Sequence, residues 1–333
     1  MPKMTPRNII VIIVIVAALV ACVVLPGVVN SYRLFIATQV LIYAIAGMGM
    51  TVLLGWSGQV AMAQAGFFGV GAYGTAFLHS SGIPWFLAMI LTGLVALVLG
   101  VLVGLPAVRL RGFYLAIATL AFGELLVRAF ITAEPITGGV AGRSTPAASL
   151  PGLDRAAVAW YAALAVFLIV LGALMWVDRT KLGRVLRAVR DAEPATASLG
   201  LSAPKYKLIA FGISAFLGGI AGGLYGQQLG FLEPHTFGFV LLIQFLVVAF
   251  VGGVTRIGGA LLGAAFVVLI QEWLQDLGSL QALLYGAALV LVIRFLPDGL
   301  ASLPAVIGGK LQLRTRLETE TPAEDADQEK IDA

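Results

Sequence analysis

Long apolar runs recur along almost the whole chain and decide what it can fold into. Most extend over about 18–22 residues, the length that a helix needs to cross a hydrocarbon core of roughly 30 Å. Strands of a membrane barrel would instead alternate apolar and polar residues over about ten positions, and these runs do not. Hydrophobic residues make up 60% of the chain and charged residues 11%, too few to cover a soluble globule. We predict an all-α, polytopic transmembrane bundle.

Ten apolar runs are candidates for membrane spans. They cover residues 9–29, 34–54, 60–78, 85–105, 113–133, 158–177, 208–229, 239–251, 257–270 and 282–295. The two short runs between residues 239 and 270 form either two spans or one re-entrant pair, which would leave eight full crossings. Residues 19–22 resemble a lipoprotein cleavage box. The apolar run continues seven residues beyond Cys22, however, so we predict an uncleaved first helix.

The distribution of basic residues predicts the orientation, because cytoplasmic segments are enriched in Lys and Arg. With a cytoplasmic N-terminus, seventeen basic residues lie in inside segments and three in outside segments: Arg33, Arg143 and Arg155. Both termini are therefore predicted to be cytoplasmic, whether the chain crosses ten times or eight. Residues 1–308 form the predicted transmembrane domain, and residues 309–333 are predicted to form an acidic, disordered cytoplasmic tail.

The loop at residues 178–207 holds ten of the chain's 38 charged residues, seven of them basic. Residues 183–190 predict a short helix with three arginines at three-residue spacing (Arg184, Arg187 and Arg190). Pro194 predicts a break at Glu193 and suits the first turn of a second short helix, which Gly200 would end. This pattern favours a compact cytoplasmic surface for a partner. The alternative is a basic loop that only fixes orientation.

A few polar residues fall within the apolar spans. Glu124 and Arg128 are spaced to share one helix face, where they form either a structural ion pair or a contact with a zwitterionic solute or a neighbouring helix. Gln59 and Gln64 are neutral, so they can line a path without a large desolvation penalty. With Tyr114, these residues are our candidates for the translocation path.

Glycine spacing indicates close helix packing. Gly218, Gly222 and Gly226 recur every four residues on one face of the 208–229 span, where small residues let helix backbones approach each other. Residues 69–74 match the pattern GxGxxG of dinucleotide-binding turns. They lie inside an apolar run with no βαβ unit around it, so we interpret them as another packing face.

Residues that could support catalysis or metal binding do not cluster in the sequence. His79 and His235 stand far apart, Cys22 is the single cysteine, and no nucleophile–base set is recognisable. A phosphate-binding GxxxxGK[ST] motif is also missing. We therefore predict no enzyme activity, no catalytic or metal site and no cofactor held by this chain.

Several sequence blocks in a fixed order resemble those of the LivM-type permeases of ABC importers for branched-chain amino acids. The resemblance runs from about residue 43 to 300. It rests on residues 55–74 (GWSGQVAMAQAGFFGVGAYG), 111–125 (RGFYLAIATLAFGEL), 137–139, 183–200, 214–226 (SAFLGGIAGGLYG), 252–263 and 297–300.

The resemblance implies a coupling segment with a Glu-x-Ala-Ala-x-x-x-Gly pattern that docks on an ATPase subunit. Glu193, Ala195 and Gly200 match, and Thr196 stands where the second Ala is expected. The residues expected in this coupling loop are Gly183, Arg187, Arg190, Glu193, Ala195 and Gly200. The implied partners are a homologous LivH-type permease, two ABC ATPase subunits that bind the ATP and an external substrate-binding protein, at the cell inner membrane.

The sequence departs from the family pattern near the expected path. Residues 60–64 read Val-Ala-Met-Ala-Gln, where the family typically has Ser and His. Related permeases carry urea or short amides, which therefore remain alternatives to branched-chain amino acids. An ion-coupled secondary transporter is an alternative of a different class, although it predicts more acidic residues at membrane depth than Glu124 alone.

Overall fold

The computed structural model describes residues 22–300, except 111, 147, 149–153, 276–279, 281–282, 285, 288–293 and 295–298. Residues 22–28 are helical. The helices that follow are α1 (Ser31–Met50), α2 (Gln64–Ser80), α3 (Trp85–Ala107), α4 (Phe113–Thr132), α5 (Glu134–Thr137), α6 (Arg155–Arg179), α7 (Lys181–Asp191), α8 (Glu193–Ser198), α9 (Ala203–Leu229), α10 (Phe239–Gly252) and α11 (Gly259–Leu274). Two short strands, β1 (Arg143–Ser144) and β2 (Phe231–Leu232), pair antiparallel.

The prediction of a helical membrane protein is confirmed. Six helical stretches in the described residues are long and apolar enough to cross a membrane: Ser31–Trp56, Trp85–Ala107, Phe113–Thr132, Arg155–Arg179, Ala203–Leu229 and Pro234–Gly252. A shorter apolar helix, Gly259–Leu274, follows them. The predicted run at 282–295 and the tail at 309–333 lie largely or wholly outside the described residues, as do residues 1–21 of the N-terminal region.

Helix α9 lies at the centre of the bundle and packs against α1, α2 and α3. Its glycines allow this close contact. A Cβ added at Gly222 would lie 1.8 Å from the Phe68 carbonyl oxygen of α2, and one at Gly219 would lie 2.8 Å from the Ala96 Cβ of α3. Gly218 and Gly226 also face α2, so the predicted four-residue spacing marks one contact face.

The GxGxxG stretch lies inside α2, in agreement with the packing interpretation. A Cβ at Gly71 would lie 1.9 Å from the Gly219 carbonyl oxygen, and one at Gly74 would lie 2.5 Å from Thr92 Cγ2. The glycines therefore bring α2 into contact with α9 and α3. They form no phosphate-binding turn.

The connection between α1 and α2 is irregular. After Met50 the chain continues in wider π-helical turns over Thr51–Trp56, and the Ser57 N–H bonds the Val52 carbonyl five residues back at 3.2 Å. Residues 57–63 are not helical. The prediction that the third helix starts at Val60 is therefore wrong, because α2 begins at Gln64.

Local hydrogen bonds explain why residues 57–63 stay outside a helix. The Gln59 N–H bonds the Leu53 carbonyl at 3.0 Å, and the Met62 N–H bonds Thr119 Oγ1 of α4 at 2.8 Å. Backbone groups without helical partners are tolerated in a membrane protein when other protein groups satisfy them. Another boundary also differs from the prediction: Pro106 lies in the last turn of α3, which continues to Ala107.

The two ends of the bundle carry different structures. We call the end that carries α7 and α8 the coupling end, and the end that carries β1 and β2 the opposite end. The connection after α10 lies at the coupling end, beside Gly55, which Arg190 of α7 contacts. A Cβ added at Gly55 would lie 1.9 Å from the Val254 carbonyl oxygen in this connection. Helix α11 returns to the opposite end, where the Tyr32 hydroxyl donates to the Glu272 carboxylate.

Candidate functional site

Helix α7 lies against the coupling end through its apolar face. Leu186 and Val189 are fully buried there, while Arg184 on the other face is exposed. Gly183 permits a tight connection from α6, because a Cβ at this position would lie 2.7 Å from the Val177 carbonyl oxygen. The Arg187 guanidinium pairs with the Asp178 carboxylate. The charged loop is therefore an ordered surface attached to the bundle.

The break between the two short helices lies one residue before the predicted position. Ala192 has a non-helical backbone (φ −153°, ψ 78°), whereas Glu193 already begins α8. Pro194 occupies the first turn of α8, where its missing N–H removes no helical hydrogen bond. Gly200 follows the helix with a left-handed φ of +76°, as expected for a residue that ends it.

Helix α8 presents a small exposed surface at its tip. Ala195, Ser198 and Leu199 are exposed, and Leu199 retains 77% of its accessible surface. Thr196 is buried, and its hydroxyl donates to the Ala192 carbonyl at 2.9 Å. The Glu193 carboxylate is ion-paired with Lys207 Nζ of α9 at 2.9 Å. Glu193 therefore holds α8 against the bundle.

Arg190 connects the coupling loop to the end of the π-helical turns. Its guanidinium donates through Nη1 to the Gly55 carbonyl and through Nε to Asp191 Oδ1 at 2.8 Å. The hydrogen bond and the positive charge of Arg190 lower the pKa of the exposed Asp191 carboxyl, and Arg187 adds to the effect. A cation also complements the partial negative charge at the carbonyl end of a helix.

The two path glutamines are buried and hydrogen-bonded to neighbouring helices. Gln59 donates to Ser57 Oγ at 2.8 Å and to the Lys207 carbonyl at 3.1 Å, and its Oε1 has no partner within the described residues. Gln64 donates to the Ala46 carbonyl at 3.2 Å and accepts from Ser214 Oγ at 3.0 Å. In this conformation Gln64 joins α1, α2 and α9.

The Glu124–Arg128 ion pair, one of the two predicted roles of these residues, is not formed within the described part of the chain. Both side chains are exposed on α4. Carboxylate and guanidinium groups on one helix can bond only when their side chains turn toward each other. Tyr114 lies near the first turn of the same helix and is 74% exposed. The three residues lie on the same helix.

Helix α4 is packed on one side and open on the other. Its inner side contacts α2, where a Cβ at Gly66 would lie 2.7 Å from Leu126 Cδ1. An apolar cleft of about 410 Å³ separates it from α3; Leu102, Pro106, Thr119 and Phe122 are among the residues that line it. The face that carries Glu124 and Arg128 is therefore not covered by the described part of the chain.

Comparison with known proteins identifies the family. The family model described as "Branched-chain amino acid transport system / permease component" matches residues 32–293. The chain belongs to this permease family. LivM, the permease protein of the high-affinity branched-chain amino acid transport system of Salmonella typhimurium, is 34% identical over 313 residues, which cover 86% of this chain and 74% of the relative. The corresponding Escherichia coli protein has the same identity and coverage.

Other members of the permease family match over shorter segments. The autoinducer 2 import system permease LsrC of an Enterobacter species is 33% identical over 112 residues, 32% of each chain. No solved structure gives a significant match. Family membership makes the chain a multi-pass membrane permease and not an enzyme, and it implies ATPase and binding-protein partners in general terms.

Some residues at the coupling end of the permease could not be recognised from the sequence. The Gly55 backbone carbonyl accepts a hydrogen bond from Arg190. The Lys207 ammonium group pairs with Glu193, and the Ser214 hydroxyl donates to Gln64. Gly55 and Ser214 are the first residues of two blocks that carry the family resemblance, but the blocks do not indicate these contacts. Lys207 lies outside the blocks, and its signal is that it is a charged residue just before an apolar span.

Proposed function

We propose that the chain is the permease component of an ABC importer that carries branched-chain amino acids across the inner membrane. The observation that carries the proposal is the family match over residues 32–293, with 34% identity to two LivM proteins. The cargo is taken from the names of those relatives. The urea, short-amide and ion-coupled alternatives have no comparable support.

We further propose ten membrane spans with both termini in the cytoplasm. Helices α1, α2, α3, α4, α6, α9, α10 and α11 supply eight of them, and the runs at 9–29 and 282–295 supply two. The return of α11 from the coupling end to Tyr32 favours two crossings over a re-entrant pair. Because cytoplasmic segments are enriched in Lys and Arg, this count would place the coupling end and the tail at 309–333 in the cytoplasm, with the permease domain at 1–308.

The ATPase subunits are proposed to dock on α7 and α8. The exposed tip at Ala195, Ser198 and Leu199 supports this, since apolar side chains on an ordered polar surface are typical of contact sites. The sequence contains no phosphate-binding loop motif, so the partner binds the ATP. Gly183, Arg187 and Glu193 would keep this docking surface ordered, because each of them contacts α6 or α9 of the bundle.

We assign the exposed face of α4 to the boundary with a homologous LivH-type permease, where the solute passes. Glu124 and Arg128 support this assignment, because a charge that faces lipid at mid-helix costs roughly 2.5–3.5 kcal/mol. The external binding protein would meet the opposite end, where Val140 and Phe231 are exposed. Gln59 and Gln64 would not line the path directly. They would stabilise the helices beside it through their hydrogen bonds between helices.

Leu199→Glu is expected to abolish ATPase docking, because it puts a charge into the proposed apolar contact. The measurement is recovery of the ATPase with the tagged permease complex, followed by ATP-driven uptake of leucine, isoleucine and valine in proteoliposomes that also receive the binding protein. Val140→Glu is the matched control at the opposite end, since it is also an exposed apolar residue (70%). It should leave ATPase recovery unchanged.

Three outcomes would contradict the proposal. Equal ATPase recovery with Leu199→Glu and Val140→Glu would remove α8 from the docking surface. Uptake that proceeds without ATP and needs a proton gradient would support the ion-coupled alternative. Competition by excess urea or acetamide, with no competition by valine, would reassign the cargo.

A further inference from the structure

The π-helical turns and the irregular residues 57–63 form a discontinuity between two packed helices. We call residues 51–63 the hinge segment. Thr51–Trp56 are fully or almost fully buried, so the discontinuity lies inside the protein and not at a free end. Helix interruptions of this kind are frequent at functional sites, and short segments at the ends of helices absorb the changes of domain motions.

The coupling loop is bonded to this hinge segment at two places. Arg190 of α7 donates to the Gly55 carbonyl, and its Cγ would lie 2.7 Å from a Cβ added at Gly58. The second link runs through α9: Glu193 pairs with Lys207, and the Lys207 carbonyl accepts a hydrogen bond from Gln59. Each short helix of the loop is therefore linked to residues 51–63 by its own set of polar contacts.

The hinge segment has little room to move independently of its neighbours. Gly55 lies so close to the α10–α11 connection that an added Cβ would be 1.9 Å from the Val254 carbonyl oxygen. On the other side the segment continues into Gln64, whose side chain joins α1, α2 and α9. A displacement of Gly55 would therefore also displace α2 and α10.

We propose that Arg190 is a positioning residue that transmits movement of the ATPase-bound loop to the hinge segment, rather than a contact residue for the ATPase. The inference rests on the proposed function. A guanidinium suits this role because it is charged at all relevant pH values and donates in a fixed geometry. When the loop moves, the Arg190–Gly55 bond moves the hinge segment with it.

The first test is Arg190→Ala in the complete transporter, with Arg179→Ala as the matched control. Arg179 ends α6 at the coupling end, outside α7 and α8, is exposed and makes no ion pair among the described residues. For Arg190→Ala we expect normal ATPase recovery and hydrolysis, but roughly tenfold less uptake per ATP, the size expected for loss of a charged hydrogen bond. Arg190→Lys should restore part of the coupling, since lysine can donate one hydrogen bond.

A disulfide gives a test that a general loss of stability cannot imitate. A Cβ at Gly58 would lie 3.4 Å from Arg190 Cβ, close to the roughly 3.5–4.5 Å found in disulfides. In a Cys22→Ser background, Gly58→Cys/Arg190→Cys should be uncoupled when reduced and recover uptake per ATP when oxidised. Gly58→Cys alone controls for the left-handed backbone at this position (φ +68°).

The outcomes separate the inference from the proposed function. Normal coupling in Arg190→Ala, loss of ATPase recovery in Arg190→Ala, or an oxidised double variant that stays uncoupled would each overturn the transmitting role. If the unaltered complex recovers no ATPase and shows no ATP-driven uptake, the proposed function fails, and the inference fails with it.

Discussion

Gly222→Leu is expected to prevent the chain from folding into its bundle. A Cβ at this position would lie 1.8 Å from the Phe68 carbonyl oxygen and 3.0 Å from the Ala72 nitrogen, both backbone atoms of α2. Backbone cannot move aside as a side chain does, so α2 and α9 would have to separate. We expect a destabilisation of about 3 kcal/mol or more, at the upper end of overpacking effects.

The measurement for Gly222→Leu is the fraction of monodisperse protein in detergent and its thermal midpoint. Gly172→Leu is the matched control, because Gly172 lies in the middle of α6 and an added Cβ would meet nothing within 4 Å. It should behave as the unaltered protein does. Equal recovery of the two leucine variants would show that the close α2–α9 contact is not needed for the fold.

Glu124→Leu is expected to lower uptake by about tenfold or more, because charged hydrogen bonds contribute roughly 1.5–3 kcal/mol. The physical reason is that Glu124 is exposed in the chain and has no described ion-pair partner, so its carboxylate must be satisfied by the second permease, water or the solute. The initial rate of leucine uptake by the reconstituted complex is the measurement. Leu125→Ala, which changes an adjacent side chain that is also exposed, should have little effect.

The exchange variant Glu124→Arg/Arg128→Glu distinguishes the two roles left open by the sequence. If the residues serve mainly as a pair, the exchange should restore uptake lost in the single variants. If each contacts a different group across the boundary, as we propose, the exchange should be as inactive as Glu124→Leu. Restored uptake would therefore return Glu124 and Arg128 to a structural role.

Much of the fold follows from the sequence because the length of an apolar run and the positions of helix-ending Pro and Gly residues are local properties. The bounds of α4 and α9 lie within a few residues of the predicted runs, and the coupling loop divides into two helices near Pro194 as expected. The predicted start of α2 was wrong because residues 60–63 are apolar in sequence, whereas the Met62 N–H bonds Thr119 of α4 instead of a helical partner. Hydropathy does not report such bonds.

The sequence predicted the candidate site less well than the fold, for the same reason. Arg190 was selected as one of several arginines, but its acceptor is the backbone carbonyl of Gly55, 135 positions away. Any residue type can offer such a carbonyl, so no motif marks it. The glycine spacing on α9 predicted a close contact correctly. It did not predict that one glycine face meets α2 while Gly219 meets α3.

The one-sided packing of α4 also has a consequence for biosynthesis. Before the proposed second permease arrives, a newly inserted copy would hold Glu124 and Arg128 on an uncovered face, at a cost of roughly 2.5–3.5 kcal/mol for each charge that faces lipid. We therefore expect unassembled copies to be degraded by membrane proteases, and the amount of this chain in a cell to follow the supply of that partner.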